Sequence, residues 1–277
     1  MSSVLFDVPG PRARARQNLY TVITVVALAA LAAWILWTLW QKEQITPDKW
    51  EAFAEPTIIA ALFEGLIETL TAAAAAIVLA MGFGGVFASG RLSDHAVLRW
   101  PCILVIEFFR AVPLLLLILF IFFAAGGPLG SFWSLVIALT LYNGSVLAEI
   151  FRAGMLAVPR GQSEAAYAIG MRKNQVMRLI LAPQALRSML PAIISQCVVA
   201  LKDTALGYVI GAGGIVDIAE RIYIAPQYNN PLAVGIVLAA IFIVINYALS
   251  RLAQWLEGRL RRTGRKVVHV PEADAAA

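Results

Sequence analysis

The sequence predicts an all-α integral membrane protein with six membrane-spanning helices and with both termini in the cytoplasm. Of its 277 residues, 60% are hydrophobic and 14% are charged, and the mean hydropathy is +0.78. A soluble protein of this size could not bury so much apolar surface in its core, whereas the hydrocarbon of a bilayer accepts it. Six apolar stretches of spanning length, separated by polar segments, carry most of these hydrophobic residues.

The first apolar stretch covers residues 19–40 and follows three arginines at positions 12, 14 and 16. Its length is that of a spanning helix and exceeds the apolar part of a signal peptide, so we expect the protein to retain it. Its tryptophans lie toward the far end, where indole rings favour the membrane interface. Residues 1–18 are then a basic cytoplasmic segment, and residues 19–56 comprise this helix and an extracytoplasmic loop.

The other five predicted spans cover residues 57–89, 102–124, 132–151, 192–210 and 232–255. The stretch 57–89 is longer than a bilayer is thick, so we expect it to tilt or to extend beyond the membrane. Gly65 and the run Gly82-Phe-Gly-Gly85 predict close packing, because small residues let helix backbones approach each other in lipid. Residues 57–256 form the predicted main domain, and residues 257–277 form a cytoplasmic tail.

The distribution of basic residues sets the predicted orientation. With the amino terminus inside, most of the 22 Lys and Arg lie in cytoplasmic segments. Only Lys42, Lys49 and Arg221 lie outside, while Arg110 and Lys202 lie within spans. Because cytoplasmic loops are enriched in Lys and Arg, this orientation is preferred to its reverse. Basic clusters beside apolar spans are typical of membrane topology, and we expect no nucleic-acid partner.

The longest polar interval between apolar stretches runs from residue 152 to residue 191. Residues 163–169 are rich in helix formers, and Gly170 can adopt the left-handed conformation that ends a helix. Asn174 is a suitable cap for a second short helix that ends at Pro183. The sequence therefore predicts two short helices set at an angle around a glycine corner. Such a projection on the cytoplasmic side would fit a socket in another protein.

Ionisable residues within the predicted spans cost roughly 2.5 to 3.5 kcal/mol each and therefore need partners or a water-lined path. Glu107 and Arg110 are three residues apart and would pair on one helical face. Lys202 and Asp203 are adjacent, so their side chains point about 100° apart unless the helix is broken there. The glycine-rich run 211–214 favours a break, whose backbone groups could hold a polar solute. The alternative is that both residues pair with other helices and only brace the fold.

Other polar side chains occur near the ends or the middle of spans. Glu64 and Glu68 are four residues apart near the outer end of the second span, where like charges repel. They would line the extracytoplasmic mouth, or one of them is protonated. Asn143 in the fourth span offers a donor and an acceptor to a zwitterion. Glu149 and Arg152 are predicted to form an interfacial ion pair at the cytoplasmic end of that span.

The polar interval 152–191 contains Glu164-Ala165-Ala166, followed by Gly170, Ile180 and Pro183, with three, nine and two residues between them. This pattern resembles the Glu-Ala-Ala loop of the membrane subunits of bacterial ABC importers. In that family the loop docks into a groove on each cytoplasmic ATPase and carries its closure to the membrane helices. Ala182 departs from the pattern, which commonly has leucine there. The resemblance assigns coupling to the ATPase to seven residues: Glu164, Ala165, Ala166, Gly170, Arg172, Ile180 and Pro183.

Two further segments resemble elements of polar amino-acid importer subunits. Residues 109–113 resemble a Phe-Arg-Gly-Thr-Pro element, with Ala111 and Val112 replacing the glycine and threonine, and residues 201–206 resemble Ile-Lys-Asp-Thr-Ser-Leu. The residues assigned to a substrate pathway are Glu64, Glu68, Arg110, Asn143, Lys202, Asp203 and Thr204.

The resemblance covers residues 57–255 and implies a five-helix type I ABC importer core to which the amino-terminal helix is an addition. Over the whole chain it is strongest to the second permease of glutamate uptake systems, which makes glutamate the expected solute. It implies a second permease subunit, two copies of an ATPase and an extracytoplasmic solute-binding protein as partners. It also implies that the chain resides in the cell membrane.

Several absences exclude other functions. No Gly-Lys dipeptide occurs, so the sequence has no phosphate-binding loop, and ATP and Mg²⁺ are expected on the partner ATPase. The two histidines, His95 and His269, lie outside the predicted spans, which argues against a metal centre or an intramembrane histidine enzyme. Cys102 and Cys197 lie in apolar stretches and are interpreted as packing residues. We therefore expect no catalytic residue and no metal site in this chain.

Two other functions are compatible with six apolar spans. An ion-coupled secondary transporter that works without an ATPase would be expected to contain an internal repeat, and none is detectable in the sequence. A non-transporting membrane scaffold would leave the intramembrane Lys202 and Asp203 without a purpose. The sequence therefore favours the permease of an ABC importer.

Overall fold

The computed structural model describes residues 10–125, 129–226, 228 and 230–263, and these residues form helices and turns without a strand. The long helices are α1 (Pro11–Gln41), α2 (Pro56–Arg91), α5 (Gly130–Leu156), α8 (Ala182–Asp203) and α10 (Pro231–Thr263). The shorter helices are α3 (Ala96–Ala111), α4 (Leu114–Ala124), α6 (Arg160–Ala168), α7 (Lys173–Gln175) and α9 (Ile215–Ile224). Residues 1–9 of the predicted amino-terminal segment and 264–277 of the predicted tail, including His269, lie outside the described residues.

Five helical segments in the described part of the chain are long and apolar enough to cross a membrane: α1, α2, α5, Lys173–Ile210 and the Pro231–Leu252 part of α10. They contain the predicted spans 19–40, 57–89, 132–151 and 192–210 and most of 232–255, so the prediction of an all-α protein is confirmed. A sixth span exists only if α3 and α4 are taken together, and these two helices are bent by 104° at their junction.

The predicted span 102–124 is therefore not one continuous helix, and the predicted count of six spans holds when the bent pair is taken as one. The chain leaves the helical conformation at Val112 (φ −78°, ψ 129°) and Pro113 (φ −57°, ψ 130°) before α4 begins. Proline has no N–H to donate, and it disfavours the helical conformation in the residue before it. The Val-Pro dipeptide thus produces the corner.

Helices α2 and α5 pack closely along their length because small residues meet where they cross. A Cβ atom added to Gly84 would lie 3.0 Å from the backbone oxygen of Gly144. Gly65 is equally tight, since an added Cβ would lie 2.8 Å from the side chain of Ile218 on α9. The predicted close packing is confirmed at these two glycines, whereas Gly82 and Gly85 face open space.

Apolar side chains from α2, α4 and α5 form the main core on either side of this crossing. The buried members are Ala72, Ala76, Leu117, Ile118, Leu135, Val136, Ala138, Leu139 and Ile210. Helix α8 packs on the same pair nearer the end of α5, through Ala185, Met189 and Ile193. Helix α1 buries no residue against the described chain. Its apolar surface is thus free to face lipid or another protein on all sides.

The segment between α5 and α8 contains the predicted glycine corner. Helix α6 ends at Ala168, and Gly170 has φ +82°, so the prediction of a left-handed glycine is confirmed. The prediction that Asn174 caps a helix ending at Pro183 is wrong. Helix α7 begins after Arg172, continues as a π-helix over Val176–Leu181 and leads directly into α8. Pro183 lies in the first turn of α8, directly after the π-helical segment, so it does not end the helix.

Candidate functional site

A cluster of polar side chains lies inside the bundle, where α8 ends in a short 3₁₀-helix over Thr204–Ile210. Asn143 of α5 is 1% exposed. Its Oδ1 accepts a hydrogen bond from Gln196 Nε2 at 2.6 Å, and its Nδ2 donates to Asp203 Oδ2 at 3.5 Å. Buried amide and carboxylate groups need such partners, because leaving one unpaired costs about 1–3 kcal/mol. The three side chains therefore tie α5 to α8.

The end of α8 separates the two adjacent charged residues. Asp203 is half-buried beside Asn143, whereas Lys202 is exposed on the described surface. The next residue, Thr204, is buried, and its Oγ1 donates to the backbone oxygen of Leu201 at 2.6 Å. The predicted break in the helix is confirmed, since Gly211, Gly213 and Gly214 have φ values of 61°, 79° and 94°. Asp203 and Lys202 accordingly lie in different surroundings, one beside Asn143 and the other on the surface.

Side chains of α2 cap the beginning of α9 after this break. Glu68 Oε2 accepts a hydrogen bond from the backbone N–H of Gly214 at 2.8 Å. Thr69 Oγ1 accepts one from the backbone N–H of Ile215 at 2.9 Å. The first N–H groups of a helix have no partner within it, and a negative charge there is favourable. Glu68 therefore has a structural partner that sequence reasoning did not anticipate, although Glu64 and Glu68 are both exposed on α2.

A network of charged side chains lies at the other end of the bundle, where α2 and α5 end. Arg91, the last residue of α2, binds Glu149 at 2.9 Å and Glu107 at 3.2 Å. The predicted pairs are confirmed, with Arg110 at 3.7 Å from Glu107 and Arg152 Nε at 3.1 Å from Glu149. Arg91 joins these two pairs into one network across α2, α3 and α5.

This network lies apart from the polar cluster. Glu149 follows Asn143 by six residues on α5, which is about 9 Å along the helix axis at 1.5 Å per residue. Five of the seven residues predicted for a substrate pathway occupy three places: Asn143, Asp203 and Thr204 are together, Glu68 is at the start of α9, and Arg110 is at the level of Arg91. The other two, Glu64 and Lys202, are exposed. Arg110 does not contact the polar cluster.

The segment after α5 presents the Glu-Ala-Ala pattern on a rigid corner. Ala166 is buried, whereas Glu164 and Ala165 are exposed. The backbone N–H groups of Gly170 and Met171 donate to the carbonyls of Tyr167 and Ala166, at 2.9 and 3.2 Å. These two hydrogen bonds form the motif that ends a helix at a left-handed glycine. Helix α6 also packs on the π-helical segment, which leads into α8.

The other members of the predicted coupling set lie on the second limb of the corner. The backbone N–H of Arg172 donates to Gln175 Oε1 at 2.8 Å, which fixes the start of α7. Ile180 is half-buried in the π-helix, and Pro183 is exposed in the first turn of α8. All seven predicted residues thus lie on the corner formed by α6, the turn at Gly170 and the helical segment that leads into α8.

An ion pair joins this corner to the turn between α2 and α3. Lys173 Nζ contacts the Asp94 carboxylate and also donates to the backbone oxygen of Leu92 at 3.3 Å. The hydrogen bond and the positive charge of Lys173 hold the pKa of Asp94 below its usual value. The corner therefore contacts the turn after α2 as well as α8.

Sequence reasoning missed four contributors to these polar contacts: Arg91, Gln196, Thr69 and the Asp94–Lys173 pair. Gln196 carried a usable signal, because it is an amide inside an apolar span, as Asn143 is. The other contributors carried no signal in the sequence, because their partners are distant along the chain. Within the described residues, no group of three or more His, Cys, Asp or Glu could hold a metal ion.

Comparisons with known proteins agree with this architecture. The profile of the family described as binding-protein-dependent transport system inner membrane component matches residues 80–262. The glutamate transport system permease protein GluD of Corynebacterium glutamicum is 43% identical over 239 residues, covering 83% of this chain and 87% of that protein. The probable glutamine ABC transporter permease protein GlnP of Bacillus subtilis is 35% identical, covering 73% of this chain and 94% of that protein.

A solved structure described as an amino acid ABC transporter with histidines has the same fold. It is 32% identical to this chain with a TM-score of 0.66, over 73% of this chain and 94% of that one. Sequence and structure thus agree over the helical core, and they place the protein in a membrane as a transport component. The chain belongs to the family of binding-protein-dependent transport system inner membrane components, as a permease subunit of an amino-acid ABC importer.

Proposed function

We propose that this permease imports glutamate and that residues 152–191 are a coupling loop through which a separate ATPase drives it. The observation that carries this proposal is the surface of the loop. Tyr167 and Ile169 lie in the loop, outside the membrane-crossing helices, yet they are 47% and 79% exposed. Large apolar side chains that stay in water are typical of a protein contact site. An ATPase groove that covers Ile169 and receives Glu164 would satisfy this surface.

The loop has the stiffness that force transmission needs. The hydrogen bonds around Gly170 lock the corner, and α6 packs on the π-helix that continues into α8. Helix α8 in turn carries Gln196 and Asp203, the partners of Asn143. Displacing the corner would therefore move one side of the polar cluster relative to α5.

The proposed cycle is a population shift between two arrangements of the helices. ATP binding closes the ATPase dimer, the loop moves with it, and the polar cluster opens to the outside; hydrolysis reverses the movement. The ATPase shifts the equilibrium only because its contacts with the loop differ between the two states. This cycle requires both termini and the loop to be cytoplasmic, with a second permease subunit, two ATPase copies and an extracytoplasmic solute-binding protein.

The proposed solute path passes between this chain and its partner permease. Lys202 is exposed on the surface of this chain, one residue from the buried cluster. A lysine in that position could bind a solute carboxylate, while Asn143 and Asp203 could bind an ammonium group. Glutamate is preferred among amino acids because the glutamate permease GluD is 43% identical to this chain.

A glycine pair tests the coupling role. Gly170→Val penalises φ +82° and should abolish solute-stimulated ATPase activity of the reconstituted complex while leaving membrane insertion intact. Gly235→Val in α10 is the matched control, because an added Cβ there meets nothing within 4 Å. Normal stimulation in Gly170→Val, or equal loss in both variants, would contradict the coupling role.

The solute is tested separately by competition. Uptake of radiolabelled glutamate into proteoliposomes containing the complete complex should be reduced by unlabelled glutamate and less so by glutamine or arginine. If glutamine or arginine inhibits this uptake more strongly than glutamate does, glutamate is not the preferred solute, but the assignment as a permease stands. Uptake by the chain alone under an ion gradient without ATP would reject the coupling proposal.

A further inference from the structure

A cavity of about 760 Å³ lies beside the coupling loop, between the ends of α2 and α5, the turn that follows α2, and the start of α8. Its volume is within the range of about 300 to 1,000 Å³ that is usual for small-molecule sites. It is separate from the Asn143 cluster and from the exposed surface of α6, none of whose residues line it. Arg172, which belongs to the predicted coupling set, also lines the cavity, but the cavity itself has no role in the proposed function.

Positive charge is concentrated at one end of the cavity. Its lining includes Arg172, Lys173 and Arg178 together with His95, and one carboxylate, that of Asp94. Lys173 is paired with Asp94, which leaves the two arginines in excess. Guanidinium groups bind phosphate oxygens through paired hydrogen bonds, and so this end favours a phosphate group.

The other end of the cavity is apolar. Phe151 and Met155 of α5 line it together with Leu186 and Met189 of α8. Met189 follows Ala182, the first residue of α8, by seven residues, which is about 10 Å along the helix. The glycine at 85 lines the same wall from α2, and a Cβ there would meet nothing within 4 Å. The cavity therefore continues from a basic opening to an apolar floor along the membrane helices.

We propose that this cavity binds an anionic phospholipid, with the phosphate between Arg172 and Arg178 and the first part of an acyl chain against Leu186 and Met189. The separation of charge and apolar surface along the helix axis matches the polarity of a phospholipid at the membrane boundary. A free phosphate ion would use the arginines and leave the apolar wall uncovered. Basic pockets between membrane helices bind anionic headgroups in this way. The inference requires a membrane protein, but neither ATPase coupling nor glutamate.

The site can be tested by lipid binding to the purified full-length chain, or to the complex with which it purifies. The protein is placed in nanodiscs of phosphatidylcholine with increasing phosphatidylglycerol, and bound phosphatidylglycerol is counted by native mass spectrometry. Arg178→Gln should weaken binding about fivefold, since each basic residue near a membrane surface contributes about that factor. Arg178→Lys should restore most of it.

Arg187→Gln is the matched control, because Arg187 is an exposed arginine on α8 that does not line the cavity. It should leave phosphatidylglycerol binding unchanged, and excess inorganic phosphate should not displace the lipid. Equal binding to wild type and Arg178→Gln would overturn the proposal, as would equal losses in Arg178→Gln and Arg187→Gln. Displacement by inorganic phosphate would also overturn it, in favour of a site for a free anion.

Discussion

The side-chain amide of Gln196 donates a hydrogen bond of 2.6 Å to the side-chain oxygen of Asn143, and this bond joins α8 to α5 inside the bundle. Asn143 is 1% exposed. In lipid, neither side chain has water as an alternative partner, so the pair depends on both helices keeping their relative position. The proposed transport cycle must break or shift this bond whenever α8 moves against α5.

Replacing Asn143 by alanine should destabilise the protein by about 1–3 kcal/mol, because the amide of Gln196 loses its acceptor. The expected result is a lower midpoint of thermal unfolding in detergent, together with reduced uptake. Asn246→Ala is the control, since in the described part of the chain the Asn246 amide donates within its own helix, to the Phe242 carbonyl. Equal destabilisation by the two variants would contradict a special role for the Asn143–Gln196 bond.

Glu68→Ala should destabilise the protein by about 1 kcal/mol, the usual loss when a helix cap is removed. Its carboxylate accepts the backbone N–H of Gly214 at the start of α9. Glu68→Gln keeps an acceptor oxygen and should lose less. Glu64→Ala removes the same charge one helical turn away and should leave the unfolding midpoint unchanged. A larger effect at Glu64 than at Glu68 would count against the cap.

Local features of the fold followed from the sequence because their causes are local. The apolar length of the spans, the left-handed Gly170 and the ion pair between Glu149 and Arg152 each depend on residues within a few positions. The break after Asp203 was predicted for the same reason, from the nearby glycines. In each case the physical requirement and the residue that meets it lie in one short segment.

Contacts that join distant segments of the chain could not be predicted from the sequence. Arg91 contacts Glu107 and Glu149, which are 16 and 58 positions further along the chain, and nothing in the neighbouring sequence marks either partner. The corner at Pro113 was a different kind of miss. Its signal was local, but continuous hydrophobicity over 102–124 was given more weight than the restriction that proline places on the preceding residue.

Gly84→Val should disrupt the crossing of α2 and α5, whereas Gly82→Val should be tolerated. A Cβ at Gly84 would lie 2.9 Å from the Cβ of Leu147 and 3.0 Å from the Gly144 oxygen, while a Cβ at Gly82 would meet nothing within 4 Å. Overpacking of this kind typically costs about 1–3 kcal/mol. The yield of folded protein and its unfolding midpoint measure the difference. Equal behaviour of the two variants would show that the helices do not cross at Gly84.

Arg91→Met should destabilise the protein by about 1–2 kcal/mol, because Glu107 and Glu149 would lose the cation that they share. The cost is below that of a fully buried ion pair, because the two glutamate side chains are partly exposed. Arg91→Lys should recover only part of this loss, since an ammonium group lacks the fork that reaches two carboxylates. Unfolding midpoints in detergent test both. A midpoint for Arg91→Met equal to that of wild type would show that Arg110 and Arg152 suffice.

The contact between Lys173 and Asp94 should resist acid and be sensitive to salt. Lys173 lowers the pKa of the Asp94 carboxyl. The stabilisation is therefore fully present above the pKa that Asp94 has in the unfolded chain. It is lost as the pH falls through the lower pKa that Asp94 has in the folded protein. Amide hydrogen exchange in residues 172–178, corrected for the intrinsic effect of pH, should therefore be constant above about pH 5. The exchange rate should rise with ionic strength, because the Lys173–Asp94 pair is exposed to solvent and screened by ions. Asp94→Asn should raise exchange to the high-salt level at every pH, and a mutant with the same exchange as wild type at low salt would show that this pair does not hold the coupling loop.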